Sequence, residues 1–184
     1  MPPHPHFVER KVPIQVFYFA VDSRLRDRVL FPHPAHYVVD IPTPYKNVVK
    51  VELVHAVYET FSDERYVNLH VDELEGNLDS NNNAVKGIFT QLPLIHPVNH
   101  YTSNQFRSIR LFERPLGRLG RLTISFRSSD NSLFPMQEHA LRFEIHCCKN
   151  AGSIENCGLD LFSDHVDVYV PAAAPPPPFF RDRR

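Results

Sequence analysis

The sequence predicts an all-β fold: a single antiparallel β-sandwich, jelly-roll-like, with extended N- and C-terminal arms. Three observations carry this expectation. Apolar residues recur at every second position in several short stretches, the period of a half-buried strand. Those stretches are rich in β-branched and aromatic residues, which suit a pleated surface. Proline is abundant, at 17, and glycine scarce, at 6, which disfavours long helices and glycine-rich phosphate loops.

From the N-terminus, residues 1–13 hold Pro2, Pro3, Pro5 and Pro13, with His4 and His6 between them. Proline fixes φ and removes a donor, so this stretch reads as an extended arm and not as a central strand. Residues 14–170 form the sandwich domain. Its clearest strands are Lys50–Tyr58, with Val51, Leu53, His55 and Val57 on one face and Val49 continuing it upstream, and Tyr66–Val71, with Val67, Leu69 and Val71 together. Leu122, Ile124 and Phe126 define another, and Leu141, Phe143 and Ile145 a fourth. Weaker candidates are Val16–Val21, Tyr37–Ile41, Gly87–Leu92, Gln105–Phe112 and Val166–Val170. A short helical turn is expected after Asp72. Turn chemistry separates the strands at Phe31–Pro34, Pro42-Thr43-Pro44, Asp79–Asn83 and Ser128–Ser132. About seven to nine strands with such punctuation fit a sandwich or jelly roll. Residues 171–184 are a proline-rich tail. Pro175–Pro178 favours polyproline II, followed by Phe179, Phe180 and the basic Arg181, Arg183 and Arg184. The tail reads either as a disordered end or as a docking peptide that buries its two phenylalanines in a neighbour.

Bulk properties narrow the function. Lys plus Arg is 20 and Asp plus Glu 21, a net charge of -1, so no global positive field holds a polyanion. Arg107, Arg110, Arg114, Arg118, Arg121 and Arg127 form a loose basic stretch near Phe106, Phe112 and Phe126. On a near-neutral chain this does not amount to a nucleic-acid footprint, and no direct nucleic-acid partner is expected. No apolar run approaches the length of a transmembrane segment, and the start lacks the basic and apolar regions of a signal peptide. A reducing, cytosol-like site of synthesis is expected.

No catalytic, cofactor-binding or metal-ligating residue is assigned. The phosphate-loop, dinucleotide, nucleophile-elbow and zincin patterns are all missing. The three cysteines, Cys147, Cys148 and Cys157, are an odd number with two adjacent, a poor disulfide framework. In a strand the adjacent Cys147 and Cys148 face opposite sides and read as one core and one surface cysteine. A zinc site built from Cys147 or Cys148, Cys157 and a histidine such as His146 or His165 would lack a C-x₂-C pair. His70, Asp72, Glu73 and Glu75 crowd one strand end and read as a solvated acidic loop more readily than as a metal site. His55 reads as a hydrogen-bonded core histidine. The mixed-charge segment Asp22, Arg24, Arg26 and Arg28 is the candidate interface, together with Phe179, Phe180 and Arg181. Arginine suits such a role because it pairs carboxylates bidentately and is weakly hydrated.

The order of several segments carries a resemblance. They are Asp22-Ser23-Arg24-Leu25-Arg26, Phe31–Pro34, Tyr37–Val48 with its Pro-Thr-Pro, Val51-Glu52-Leu53, Leu69–Leu74, Leu92-Pro93-Leu94, Pro115–Leu119, Arg121–Arg127 and the Glu138-His139 strand. Over residues 17–146 the chain resembles small structural proteins of large nucleocytoplasmic double-stranded DNA viruses, chlorovirus-like ones included. The resemblance implies a minor capsid, or cement, protein without catalytic activity. Its implied partners are the major capsid protein and other minor capsid proteins, with self-association as a further option, and its implied location is the virion, after synthesis in the host cytoplasm. Two other classes stay open: a ligand- or carbohydrate-binding sandwich module, which the absence of Trp and the scatter of seven Tyr disfavour, and a metal-assisted enzyme built around His70 and Asp72.

Overall fold

A computed structural model describes residues 13–60, 62–75, 82, 85, 87–95, 98–104 and 107–149. The arm up to Val12, the tail 171–184, the candidate strand Val166–Val170, Cys157 and His165 lie outside the described residues. Within them the chain forms seven strands: β1 (Ile14–Asp22), β2 (His36–Glu59), β3 (Tyr66–Val71), β4 (Thr90–Pro93), β5 (Val98–Thr102), β6 (Ser108–Arg127) and β7 (His139–Cys148). Two single 3₁₀ turns, Ser23–Leu25 and Asp72–Leu74, are the only helical pieces among the described residues. The second is the turn expected after Asp72. The fold is all-β and antiparallel throughout.

The strands join in one continuous sheet of order β1-β7-β2-β6-β3-β4, with β5 also paired to β2. Two long strands make this possible. β2 runs for 24 residues and β6 for 20. At about 3.3 Å per residue a straight strand of β2's length would reach roughly 80 Å, whereas a compact chain of this size has a radius of gyration of roughly 16 Å. The long strands therefore have to bend, and the sheet curls around its own core. β2 pairs with β6 from His36 to Leu53 and with β7 from Val48 to Tyr58, then turns to β5 from His55 onward.

The bends are β-bulges, and they overturn two expectations. Pro42-Thr43-Pro44 is not a loop between separate strands. It lies inside β2, where the register with β6 jumps between Asp40 and Tyr45. Proline is tolerated there because no ladder donor is required. Likewise the stretches around Ser108–Phe112 and Leu122–Phe126 are one strand, β6, with Pro115 inside it. The second overturned expectation is the face of His55. Period two puts Val51, Leu53, His55 and Val57 together, but a bulge between Leu53 and His55 reverses the alternation. Val51, Leu53, Ala56 and Tyr58 point into the core, while His55 and Val57 are half-buried. A further bulge between Val48 and Lys50 brings Val48 into the central cluster, which Val49, though buried, does not join. Strand β5 has no counterpart in the sequence reading: Val98-Asn99-His100-Tyr101-Thr102 is short and mostly polar.

Elsewhere the expected faces hold. Val67, Leu69, Val71, Leu122, Ile124, Phe126, Phe143 and Ile145 are fully buried in one cluster with Tyr37. Ile124 shows how the curl closes it. This residue pairs with Tyr37 of β2 on one side and Val71 of β3 on the other. The Ser128–Ser132 loop is closed by its own backbone bonds, with Asn131 at φ 70°, a left-handed conformation that Asn tolerates better than most residues.

Replacing Phe143 by alanine removes a ring from the centre of this cluster, and the unfolding free energy is expected to fall by about 3–5 kcal/mol. Val29→Ser, on the surface, should stay within about 0.5 kcal/mol. Urea unfolding of the two variants measures both.

Candidate interaction loop between the first two strands

The residues between β1 and β2 hold the candidate interface arginines, and the structure separates those arginines into two kinds. Asp22 ends β1 and caps the 3₁₀ turn, its carboxylate accepting the N–H of Arg24 at 3.0 Å. The same carboxylate is held by the Arg24 guanidinium, Nε at 2.9 Å and Nη2 at 2.6 Å. Arg24 and Arg28 are mainly exposed. Arg26 is not: its side chain is only 4% exposed. Its Nε donates to the Phe31 carbonyl at 2.9 Å, Nη1 to the Ser23 carbonyl at 2.8 Å, and Nη2 to the Pro32 carbonyl at 3.1 Å. Nη1 also meets both oxygens of Glu138, at 2.7 and 2.9 Å. Arg26 thus spends most of its five donors on its own loop and on Glu138, leaving at most one Nη2 proton for a neighbouring subunit.

Glu138, just before β7, is the anchor. It accepts from Ser23 Oγ at 2.6 Å, from Arg26, and from Arg28 at 3.2 Å. Burial raises its pKa, but the hydrogen bonds from Arg26 and Ser23 and the charges of Arg26 and Arg28 outweigh that and hold it below the usual glutamate value. Ser23 Oγ in turn accepts the backbone N–H of His139 at 2.8 Å. His139 is buried beneath the loop. Its Nδ1 lies 3.0 Å from the Gln137 carbonyl oxygen, which can only accept, so Nδ1 carries the proton. Nε2 is then the acceptor for the Tyr37 hydroxyl, 2.8 Å away. Burial lowers the His139 pKa to about 4 and pushes the Tyr37 hydroxyl up. The ring also stands edge-on to Phe126, centroids 4.5 Å apart.

Above this base the loop turns outward. The Asp27 carboxylate accepts the N–H groups of Val29 at 2.9 Å and Leu30 at 3.1 Å, and the Asp27 carbonyl accepts that of Phe31 at 2.8 Å. Phe31 packs back on the core. The outcome is a braced turn that holds three aliphatic side chains in water: Leu25 is 85% exposed, Val29 91% and Leu30 70%. Flanking them are the guanidinium groups of Arg24 and Arg28. The sequence reading singled out the arginines and missed the aliphatic residues. A signal was present in Val29-Leu30, two apolar residues in a charged loop, outside any alternating pattern.

The remaining candidates lie apart from this loop. Phe179, Phe180 and Arg181 are outside the described residues. Among the described residues no three His, Cys, Asp or Glu side chains are grouped to hold a metal. Glu73 is occupied at β6, where its carboxylate accepts the N–H of Thr123 at 2.6 Å, the Thr123 hydroxyl at 2.8 Å and Arg121 Nε at 3.1 Å. His70 is half-buried with Nε2 lacking a partner, and burial, then the charge of Arg127, lowers its pKa. Cys147 and Cys148 are both buried, against the expectation of one core and one surface cysteine. Cys147 joins the core cluster, and burial raises the pKa of its thiol.

A protein-family model described as a family of unknown function (DUF5901) matches residues 6–57. That stretch runs from the N-terminal arm through β1, the loop and nearly all of β2, and is under a third of the chain. No curated protein matches the chain.

The pH dependence of stability follows from these groups. The unfolded chain protonates His139 near the ordinary value of 6.5, the folded chain only near 4, so stability should fall as pH drops between the two. Asp22, held at about 2 by Arg24 against an ordinary 3.8, and Glu138, also lowered, add a further loss as pH falls through the acid range below about 4. Urea midpoints measured from pH 7 to pH 3 should show both phases, and His139→Asn should flatten the first while leaving the second. Arg26→Ala should cost about 2–4 kcal/mol, since it leaves three loop carbonyls without their donor and strips the partly buried Glu138 carboxylate of its buried cation. Arg24→Ala, at an exposed, solvent-screened pair, should leave the urea midpoint almost unchanged.

Proposed function

We propose that this chain is a structural, non-catalytic protein that docks onto other protein subunits through the loop between β1 and β2. One observation carries the reading: Leu25, Val29 and Leu30 are held in water by a loop whose own arginine, serine and carboxylates are committed to bracing it. Leaving aliphatic side chains exposed on a stiffened turn costs solubility and gains nothing within the monomer. For a partner it is an advantage, because a preordered loop loses little entropy on binding. Arg24 and Arg28 at the rim suit an apolar pocket edged by carboxylates.

The finer form of the proposal is a minor capsid, or cement, protein of a large double-stranded DNA virus, located in the virion and bound to the major capsid protein. It rests on the ordered segments of sequence resemblance from Asp22 to the Glu138-His139 strand. A stiff sheet with an outward anchor suits that task, since a cement subunit must keep fixed geometry while gripping its neighbours. The same segments tie the braced loop to the resemblance, because Asp22–Arg26 and Glu138 are the residues that build it.

Replacing Leu25, Val29 and Leu30 together by serine should leave unfolding almost unchanged and weaken binding to capsomers of the source virus at least tenfold in co-sedimentation. Equal binding by the variant would remove the loop from the interface. Absence of the protein from purified virions, as read by mass spectrometry, would overturn the capsid assignment itself.

A further inference from the structure

Among the described residues, the first strand of the sheet has one edge without a partner strand. β1 pairs with β7 on one side, in a register running from Ile14 opposite Cys148 to Asp22 opposite Ala140. No described strand pairs with its other side. The direction of its backbone groups follows from two bonds at the ends of the ladder. Lys149 N–H donates to the Pro13 carbonyl at 3.1 Å, and at the far end His139 N–H points to Ser23 at 2.8 Å. In an antiparallel pair the inward-bonding residues alternate, so Pro13, Gln15, Phe17, Phe19 and Val21 bond to β7. The N–H and C=O groups of Ile14, Val16, Tyr18 and Ala20 therefore face outward along the edge.

Exposed edges of this length are normally protected by a charge, a proline, a bulge or a short strand. The opposite edge has such protection: β4 is four residues long and ends in Pro93. β1 has none. It is nine residues long, with unbroken register, and carries no charged residue from Ile14 to Val21. Its side chains also leave apolar surface uncovered on both faces. Val16 and Tyr18 are exposed on one. On the other, Phe17 and Phe19 stand against Tyr45, ring centroids 5.1 and 6.4 Å apart, in a groove of about 720 Å³ walled by Pro42 and Pro44.

We propose that β1 pairs with β1 of a second copy of this chain, antiparallel about a two-fold axis at Tyr18, to join the two sheets into one. The strand reads Val16-Phe17-Tyr18-Phe19-Ala20, which is close to symmetric about its centre. Under that axis Tyr18 faces its own counterpart, Val16 faces Ala20 and Phe17 faces Phe19, each in both directions. The outward groups of Val16, Tyr18 and Ala20 meet as hydrogen-bonded pairs. Phe17 and Phe19 form the closer, non-hydrogen-bonded pairs, so the aromatic cluster with Tyr45 continues across the axis. No like charges are opposed, because Asp22 falls opposite Ile14. Aromatic side chains bury about 150–250 Å² each, and these already partly covered rings with their neighbours would bury on the order of 1,000 Å² in all, the lower end for a specific interface. A dimer of micromolar strength is expected. Pairing at this edge is independent of what the β1–β2 loop binds.

Sedimentation equilibrium of the full-length chain tests it. The wild type should pass from monomer to dimer across the micromolar range. Tyr18→Pro removes an outward N–H that β7 does not use, so it should keep the fold and abolish the dimer, read alongside thermal unfolding. The double variant V16K/A20K keeps every backbone donor and sets ammonium groups opposite one another, and should raise the dissociation constant at least tenfold. In a dimer mixed from isotope-labelled and unlabelled copies, cross-copy NOEs should link Phe17 to Phe19. A wild type that stays monomeric at all concentrations would overturn the proposal. So would a dimer indifferent to V16K/A20K, or one without the Phe17–Phe19 NOEs.

Discussion

The pairing of β2 with its neighbours is the constraint on which the rest of this structure depends. One strand of 24 residues serves as the spine for three others, β6, β7 and β5. Its length forbids a flat path, and its bulges decide where the path bends. At each bulge the alternation of faces resets, so the core is lined by Val48, then by Val51 and Leu53, then by Ala56 and Tyr58. The cluster around Tyr37, Ile124 and Phe126 forms only because β2 and β6 curve far enough to bring β3 to the other side of β6. Packing, topology and the position of the β1–β2 loop follow from that bending.

The curvature also leaves a polar strip on the spine. Between two bulges Lys50 and Glu52 are buried side by side, Nζ to Oε2 at 2.9 Å. Ion pairs in such positions add little net stability over apolar residues of similar size. They do fix alternation: slipping β2 by one residue would carry both charges into the hydrocarbon cluster that Val51 and Leu53 occupy. The pair opposes exchange between the two nearby bulges and a wrong register.

Much of this was legible in the sequence. The alternating runs at Tyr66–Val71, Leu122–Phe126 and Leu141–Ile145 are strands with the faces that their pattern implies, because each lies in a stretch free of bulges. His55 was misread for the opposite reason: a bulge leaves no mark in a hydrophobic pattern that reads well on either side of it. Pro42 and Pro44 looked like a boundary because proline normally ends a ladder, and only the partner strand reveals that donors are not needed there. In the candidate site, Asp22, Arg24, Arg26 and Arg28 were found as a group by their alternating signs. Their different roles depend on Glu138, 112 residues from Arg26, and no local pattern reports a partner so distant. Leu25 is a lone apolar residue in a loop, unremarkable until its exposure is known, and the adjacent Val29 and Leu30 are too short a run to show a period.

Ser23 has a consequence beyond its size. One hydroxyl donates a hydrogen bond to Glu138 and accepts one from the backbone N–H of the adjacent His139. Those two residues are consecutive at the entry to β7, and the hydroxyl reads both. A shift of β7 in either direction would strand the carboxylate or the amide, and would move an imidazole out of its seat under Phe126. Ser23 therefore works as a detent, a small catch that clicks only at one position of the sliding part. The contact of the 3₁₀ turn after β1 with the last described strand is indexed chemically as well as by shape, which allows a surface built on that end to be reproduced identically from molecule to molecule.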